Sequence, residues 1–377
     1  MDKNGEKRGL VIVYDPHSLQ QFVWYYCTYG QDIKWDALCL PNGYKGAYMD
    51  TYCVRTGVFE NVFKGETDYL EMPFINKVAL FLKMFGYYVI GKRKKCATEI
   101  LESYVTDFGQ YDECVAICET GFISGLLTMF GDEKKVSFLD DGLGEYVPRT
   151  KWSNTYKKTS STYWQSFFLT RMGYSCKGRF YFEPTKYCYK YSSVTKEMLY
   201  TNYKVMEDFD MTNTNIALYD ELLSKAYPNI EHIDFDDVDT VFFTDNLECF
   251  SGKAQEYYDK CVKYIEKNAR SVLIKRHPRD DGKYDFAEGI RVQEVDSDVP
   301  AELILGRIQG KQIYFSYFSS IIIFMQQYGY EYNIMYSEDI YQDNLTSKTG
   351  TWHFPSREKV EGYCKRFSGD KYNFIDL

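Results

Sequence analysis

The sequence lacks the long apolar run that a membrane span requires, and it lacks an excess of positive charge. No apolar segment approaches the ~18 residues that a membrane-spanning helix needs. Lysine and arginine together number 45 against 54 aspartate and glutamate residues, which gives a formal net charge of −9. Because domains that bind nucleic acid are usually basic, this balance argues against nucleic acid as the main ligand.

The cysteines lack a recognisable arrangement. There are 11 of them, an odd number, and none form a Cys-x-x-Cys pair; Cys114 and Cys118 lie closest together in the sequence. Scattered thiols of this kind fit neither a disulfide framework nor a zinc site and are typical of a reducing compartment. The amino-terminal segment is charged and does not resemble a signal peptide. We therefore expect a cytoplasmic protein.

Aromatic residues are abundant, at 18% of the chain, and include 37 tyrosines. A tyrosine ring combines flat apolar area with a hydroxyl group, which suits contact with carbohydrates or with protein partners. Codon usage in an AT-rich genome would produce the same enrichment. The composition alone leaves both explanations open.

The length of 377 residues suits two domains, and the order of predicted elements favours an α/β fold. Strands alternate with helices in both halves, which is typical of parallel βαβ units with ligands at the carboxyl ends of the strands. The clearest strands are predicted at residues 9–14, 33–40, 114–118 and 135–139, and then at 240–244, 271–275 and 312–315.

The regular alternation of predicted strands and helices stops in the middle of the chain. We predict a Rossmann-like amino-terminal domain over residues 1–150 and a Rossmann-like carboxyl-terminal domain over residues 236–377. Residues 151–235 are predicted as a tyrosine-rich insertion or interdomain region.

The first candidate site is Asp140-Asp141-Gly142, which follows the strand predicted at 135–139. Glycine permits a sharp turn and a close approach of substrate. A carboxylate facing a cleft can act as a general base toward a hydroxyl group. The same three residues are also common in turns that have no catalytic role.

The second candidate site is His277-Pro278, which directly follows the strand predicted at 271–275. The chain has only four histidines, and this one is flanked by Lys275, Arg276 and Arg279. A histidine between guanidinium groups suits a phosphate, whose charge grows as a leaving group departs. A polar surface turn is the alternative interpretation.

Two weaker features complete the set. Ser319 and Ser320 precede the helix predicted at 321–328, where serine is an ordinary cap but also part of an anion site. Lys92-Arg93-Lys94-Lys95 is a basic run that could contact anionic lipid headgroups, although a solvated loop explains it equally well.

Taken together and in this order, the three motifs resemble those of a known group of enzymes. Bacterial sialyltransferases and polysialyltransferases of the GT-B fold, and most closely the lipooligosaccharide sialyltransferase type, share an acidic-acidic-Gly motif, a His-Pro motif and a Ser/Thr-Ser motif. Here these are Asp140-Asp141-Gly142, His277-Pro278 and Ser319-Ser320. The resemblance covers the motifs and not the whole chain.

The resemblance implies a GT-B fold, with two Rossmann-like domains facing a central cleft, and an inverting transfer without a metal ion or other cofactor. Sialic acid would pass from CMP-sialic acid to a terminal sugar, galactose in the typical case, of a bacterial surface glycan. Asp141 or Asp140 would be the general base, and His277 would hold or protonate the departing phosphate. Gly142, Lys275, Arg276, Pro278, Ser319 and Ser320 would contribute to substrate binding.

Two other functions remain open at this point. The chain could be a GT-B glycosyltransferase that uses a different nucleotide-activated sugar, or a non-catalytic protein of glycan assembly. Association with the inner face of the cytoplasmic membrane and formation of a homodimer are likewise left open by the sequence.

Overall fold

The computed structural model describes most of the chain in two compact units, Met1–Ala226 and Tyr227–Leu377. The described residues are 6–41, 49–65, 73–117, 122–139, 171–174, 188–192, 205–208, 213–245, 253–278, 280–317, 319, 321–346 and 356–377.

The first unit is built on a parallel sheet. Its strands are β1 (Arg8–Val13), β2 (Lys34–Cys39), β3 (Phe59–Lys64), β4 (Glu113–Ala116), β5 (Lys135–Phe138), β6 (Tyr189–Ser192) and β7 (Val205–Asp208). Its α-helices are α1 (Pro16–Tyr25), α2 (Asp50–Thr56), α3 (Phe74–Val89), α4 (Arg93–Leu101), α5 (Phe122–Leu127) and α6 (Ile216–Ala226). The strands are ordered β3-β2-β1-β4-β5-β6-β7 across the sheet.

The second unit repeats the same plan. Its strands are β8 (Thr240–Phe243), β9 (Ser271–Lys275), β10 (Arg291–Val295), β11 (Gln312–Phe315), β12 (Tyr332–Tyr336) and β13 (Tyr372–Asp376). Its α-helices are α7 (Ala254–Ile265), α8 (Glu302–Leu305), α9 (Ile322–Tyr328), α10 (Glu338–Thr346) and α11 (Arg357–Ser368). The strands are ordered β10-β9-β8-β11-β12-β13 across the sheet.

Both sheets have the strand order of the Rossmann fold. Counted from the first strand of each unit, the order is 3-2-1-4-5-6, with a seventh strand added in the first unit. All the strand pairs described are parallel. Residues of β1, β8 and β9 are almost entirely buried, as expected for strands covered on both faces. The prediction of an α/β protein with two Rossmann-like units is confirmed.

The middle of the chain contributes to the first unit. Strand β6 pairs with β5, and β7 pairs with β6, so both extend the first sheet. Helix α6, which follows them, packs against α2 and α1 of the same unit. The boundary between the two compact units falls between Ala226 and Tyr227, whereas the sequence predicted a separate region over residues 151–235. The short strands escaped prediction because the surrounding sequence is polar and rich in tyrosine.

A buried carboxylate ties the strands of the first unit together at their amino ends. Asp36 in β2 accepts hydrogen bonds from Arg8 at 3.0 Å, from the hydroxyl of Tyr111 at 2.8 Å and from the side chain of Asn61 at 3.0 Å. Its side chain is only 1% exposed. Because an unpaired buried carboxylate would be very costly, these donors fix β1, β2 and β3 relative to one another.

A close approach between β1 and β2 provides a test of this packing. Gly9 pairs with Trp35, and a Cβ atom added at Gly9 would lie 2.4 Å from the buried indole ring. We expect Gly9→Ala to lower the free energy of unfolding by about 1–3 kcal/mol, because the ring must shift in a packed core. Gly86→Ala is the control, since an added Cβ in that helix meets no atom within 4 Å. Urea denaturation of both variants would measure the difference, and equal stabilities would contradict the packing described.

Candidate functional site

The carboxyl ends of β8, β9 and β11 lie together at one edge of the second sheet. Strand β8 stands between β9 and β11, at the point where the strand order reverses. The amide of Thr244 donates to the carbonyl of Lys275 at 3.0 Å, and the amide of Ser316 donates to the carbonyl of Phe243 at 2.9 Å. The residues that follow all three strands therefore share the position at which ligands bind in open α/β sheets.

His277 lies on the β9 side of this edge, and its backbone is held by the end of β8. The His277 amide donates to the hydroxyl oxygen of Thr244 at 3.0 Å. The His277 carbonyl accepts from the amide of Asp280 at 2.9 Å, which closes a tight turn. His277 is half-buried, and Pro278, which follows it, is exposed. These two hydrogen bonds therefore fix the backbone of His277 at the end of β9.

The carboxylate of Asp280 is the centre of this arrangement. It is 7% exposed and accepts hydrogen bonds from the hydroxyl of Thr244, from the hydroxyl of Tyr284 at 2.7 Å and from the amide of Gly282 at 2.8 Å. Burial, followed by the proximity of Tyr258 and Asp280, raises the pKa of Tyr284 well above its ordinary value. Tyr284 therefore stays protonated and remains a donor to Asp280 at neutral pH. The sequence did not predict this role, because Asp280 and Asp281 look like part of a surface turn.

The two cations before His277 are engaged inside the unit. The Lys275 ammonium donates to the carbonyl oxygens of Arg276 at 2.5 Å and Ser297 at 3.2 Å. Arg276 donates to both carboxylate oxygens of Glu294 at 3.0 Å and to the carbonyl of Gly282 at 2.6 Å. The sequence predicted both residues as substrate ligands. In the structure they join β9 to β10 and to the turn, and Arg276 would have to leave Glu294 to reach a phosphate.

The loop after β11 lies on the other side of β8 and carries an unusual backbone conformation. Tyr317 has φ = 88°, the one positive φ found at a non-glycine residue of the described chain. Its ring is buried and stacks on Tyr336, with centroids 5.6 Å apart. Strained residues of this kind cost about 1–3 kcal/mol and are concentrated at binding and active sites. The stacked ring holds the loop in a conformation that the backbone alone would not favour.

Ser319 lies where the sequence predicted it, directly before helix α9. Its hydroxyl oxygen accepts from the amide of Ile321 at 3.4 Å, and its carbonyl accepts from the amide of Ile322 at 3.2 Å. Ser320, like Arg279 near His277, lies outside the described residues. The expected partnership of Ser319 and Ser320 at a phosphate therefore stays a prediction.

Two further serines at this edge were not predicted. Ser316 and Ser337 directly follow β11 and β12, two neighbouring strands, and both are at least 98% buried. The hydroxyl oxygens of both have no hydrogen-bond partner among the described residues. Because buried hydroxyls are nearly always paired, these two are free to bind a polar ligand or water. The signal available in the sequence was only their position at the end of apolar strands.

The first unit has a corresponding edge at the ends of β1, β4 and β5. Asp15 caps helix α1 by accepting from the Ser18 amide at 2.8 Å, so the segment Asp15-Pro16-His17-Ser18 opens a helix. His17 is half-buried, and its Nε2 atom is buried without a hydrogen-bond partner among the described residues.

The acidic motif begins where strand β5 ends. The amide of Leu139 continues the ladder to the carbonyl of Ala116 at 2.8 Å. Asp140, Asp141 and Gly142 come next in the chain, and they lie outside the described residues. Their roles therefore stay predictions, although the strand that leads to them ends at the edge that the sequence indicated.

Some aspartates have the Asp-x-Asp spacing that is found in metal-dependent transferases, but the described ones have structural partners. Asp237 pairs with Arg291, and Asp239 accepts from the amides of Arg270 at 2.9 Å and Ser271 at 3.4 Å. Asp234 accepts from the amides of Asp236 at 3.2 Å and Asp237 at 3.3 Å. Asp296 accepts from the amide of Asp298 at 3.1 Å. Within the described ranges, no group of three or more histidine, cysteine, aspartate or glutamate side chains is arranged to hold a metal ion.

Comparison with known proteins found similarity only to solved structures. No protein-family model matches the chain, and no curated protein matches it significantly. The UDP-GlcNAc 2-epimerase of Methanocaldococcus jannaschii is 10% identical with a TM-score of 0.46, over 97% of this chain and 93% of that chain. The glycosyltransferase SnogD of Streptomyces nogalater is 11% identical with a TM-score of 0.44, over 97% and 93%. MurG of Acinetobacter baumannii is 9% identical with a TM-score of 0.42, over 98% and 86%. At scores this low, the strand order of the two sheets remains the argument for the fold.

The network around Asp280 can be tested by removing its charge. We expect Asp280→Asn to lower the free energy of unfolding by about 1–3 kcal/mol, because an amide nitrogen would face donors in a buried site. Asp281→Asn is the matched control, since Asp281 is adjacent and exposed. Urea denaturation of the two variants measures the effect. If the two substitutions cost the same, Asp280 does not hold the His277 turn.

Proposed function

We propose that this protein is a glycosyltransferase of the GT-B type that uses a nucleotide-activated sugar. The observation that carries the proposal is the carboxyl edge of the second sheet. There the His277 turn and the loop from Ser316 to Ser319 lie on either side of β8, at the point where the Rossmann strand order reverses. This is the place where Rossmann-type sheets bind nucleotides.

The chemistry of this edge suits a phosphate-linked leaving group. The Ser316 hydroxyl is a buried donor without a partner among the described residues, and His277 is held on a rigid turn. A histidine can stabilise or protonate a phosphate oxygen as the bond to the sugar breaks. Rigid positioning matters because preorganised groups pay no reorganisation cost when charge develops.

We further propose sialic acid as the transferred sugar and CMP as the leaving group. This proposal rests on the motif resemblance. The acceptor would be a terminal sugar, in the typical case galactose, of a bacterial surface glycan. Asp141 or Asp140 would deprotonate the acceptor hydroxyl, and His277 would assist departure of CMP. The attacking oxygen would displace CMP from the opposite face of the sugar, which inverts the anomeric configuration. In this scheme the reaction needs no resident metal ion.

Nucleotide binding is the first test of the proposal. We expect CMP to raise the melting temperature more than UDP, CDP or GDP, because a ligand that binds only the folded state stabilises it. At a hundredfold excess over Kd this amounts to about 2.7 kcal/mol, and therefore to several degrees. Differential scanning fluorimetry with the four nucleotides would measure it. A larger shift with UDP would support a glycosyltransferase but contradict CMP-sialic acid as its donor. No shift with any of the nucleotides would contradict both proposals.

The roles of the proposed groups make a kinetic prediction. With CMP-sialic acid and a galactose-terminated acceptor, we expect His277→Ala to lower kcat by about 10²–10⁴. We expect the same of the alanine substitution at whichever of Asp140 and Asp141 is the general base. His232→Ala serves as the control, because His232 lies in a surface 3₁₀ helix of the same unit. Mass spectrometry of the products gives the rates, and comparison of Asp140→Ala with Asp141→Ala identifies the base. Unchanged rates in the His277 variant would exclude the proposed role.

A further inference from the structure

Helix α3 of the first unit exposes an apolar face. Its exposed apolar side chains recur at helical spacing, and the one exposed lysine of the helix, Lys83, pairs with Glu99 at 3.0 Å. The apolar side chains are Ile75, Val78, Leu82, Phe85 and Val89, and the flanking Phe74 and Ile90 are exposed as well. Contiguous apolar surface of this kind on a soluble protein marks a site of interaction.

The opposite face of the same helix is already used by the core of the unit. Met84 is fully buried, and Leu80, Phe81 and Tyr87 pack against the buried cluster beneath the first sheet. The helix is therefore apolar on two sides, and only the inner side is needed for folding. The outer side has no function in the unit as described.

The segment that contains α3 has a charge opposite to that of the whole chain. Residues 73–95 include six basic residues and no acidic one, within a protein whose net charge is −9. Lys92, Arg93 and Lys95 are exposed at the carboxyl end of the helix. Two of the cations also have partners within the unit: Lys94 pairs with Asp132 at 2.8 Å and Glu133 at 2.7 Å, and Arg93 donates to the carbonyl of Met172 at 3.2 Å.

We propose that α3 and the basic segment after it dock the protein on an anionic phospholipid bilayer. The apolar face would enter the boundary between headgroups and acyl chains, while the lysine and arginine side chains contact lipid phosphates. The inference is independent of the proposed function, because it concerns the surface of the first unit and involves no sugar or nucleotide.

The geometry suits a helix that lies along the membrane surface. With 16 residues, α3 is about 24 Å long. No helix in the described part of the chain is both long and apolar enough to span a bilayer. Helices of this amphipathic type lie in the interface, and lysine side chains at their ends extend toward the headgroups.

A second copy of the chain is a poorer occupant of this face. In a two-fold dimer the same patch meets itself, so the basic residues at Lys92, Arg93 and Lys95 would be brought close to their own copies. An anionic lipid surface instead neutralises them. The arrangement of charge therefore favours the bilayer.

Vesicle flotation tests the proposal. The full chain is incubated with vesicles of phosphatidylcholine alone or with phosphatidylcholine containing one third phosphatidylglycerol, at low salt. We expect flotation with the anionic vesicles and at least a tenfold smaller bound fraction with the neutral ones. Raising the salt concentration should release the protein, because surface charges are screened.

Two pairs of variants separate the apolar contribution from the charged one. Val89→Glu should reduce binding to anionic vesicles at least tenfold, whereas Val54→Glu should not; these valines are 65% and 64% exposed on helices of the same unit. Replacing Lys92 and Lys95 by Gln should weaken binding by roughly fivefold for each residue, at about 1 kcal/mol per charge. Lys263→Gln with Lys267→Gln, which changes two exposed lysines of the second unit, is the control.

Each alternative outcome has a clear meaning. Equal binding of Val89→Glu and Val54→Glu would overturn the proposal, and so would failure of the wild-type chain to float with anionic vesicles. A dimer in sedimentation analysis that dissociates in Val89→Glu would also overturn it and assign the face to a second copy. Nucleotide-induced stabilisation should be the same in all these variants, so this test and the tests of the proposed function can fail separately.

Discussion

The structure depends on one constraint, the parallel pairing of strands in both sheets. Parallel strands need a crossover between each neighbouring pair, so every strand of a unit starts at one edge and ends at the other. The polar residues that follow β8, β9 and β11 are therefore gathered at one edge although they are far apart in sequence. The interiors of the central strands β8 and β9 are largely apolar and buried, so the polar groups of this region lie beyond the strand ends. The position of His277 follows from this constraint.

A strand end alone does not fix a side chain, and the second unit adds a buried polar network for that purpose. Thr244 joins the His277 backbone to the carboxylate of Asp280, and Tyr284 completes the set of donors around that carboxylate. Thr244 comes from the end of β8 and the other members from the segment after β9, so neither segment can move without leaving a buried group unpaired. Tyr317 is held in a similar way, but by stacking of its ring on another aromatic side chain.

The sequence predicted the central strands well because their residues are apolar on both faces. The stretch from Ser271 to Lys275 was predicted with its observed bounds. The outermost strand β10 of the second sheet was not predicted. It reads Arg-Val-Gln-Glu-Val, and its mostly exposed residues give no continuous apolar signal. For the site, the sequence located His277 after a strand and Ser319 before a helix, but it did not identify Asp280 or the buried partners of Asp280. Those partners depend on which turns meet in space, and no local pattern contains that information.

The amino and carboxyl edges of the sheets differ in how completely their polar groups are paired. At the amino edge, Asp36 is surrounded by donors, and Asp239 likewise accepts from the amides of Arg270 and Ser271 before β8 and β9 begin. At the carboxyl edge, the Ser316 and Ser337 hydroxyls have no partner among the described residues. Replacing Asp36 would leave buried donors without an acceptor, whereas replacing Ser316 or Ser337 breaks no hydrogen bond among the described residues. The hydroxyl groups at the carboxyl edge of the second sheet can therefore vary with less cost to folding than the carboxylate that holds β1, β2 and β3 together.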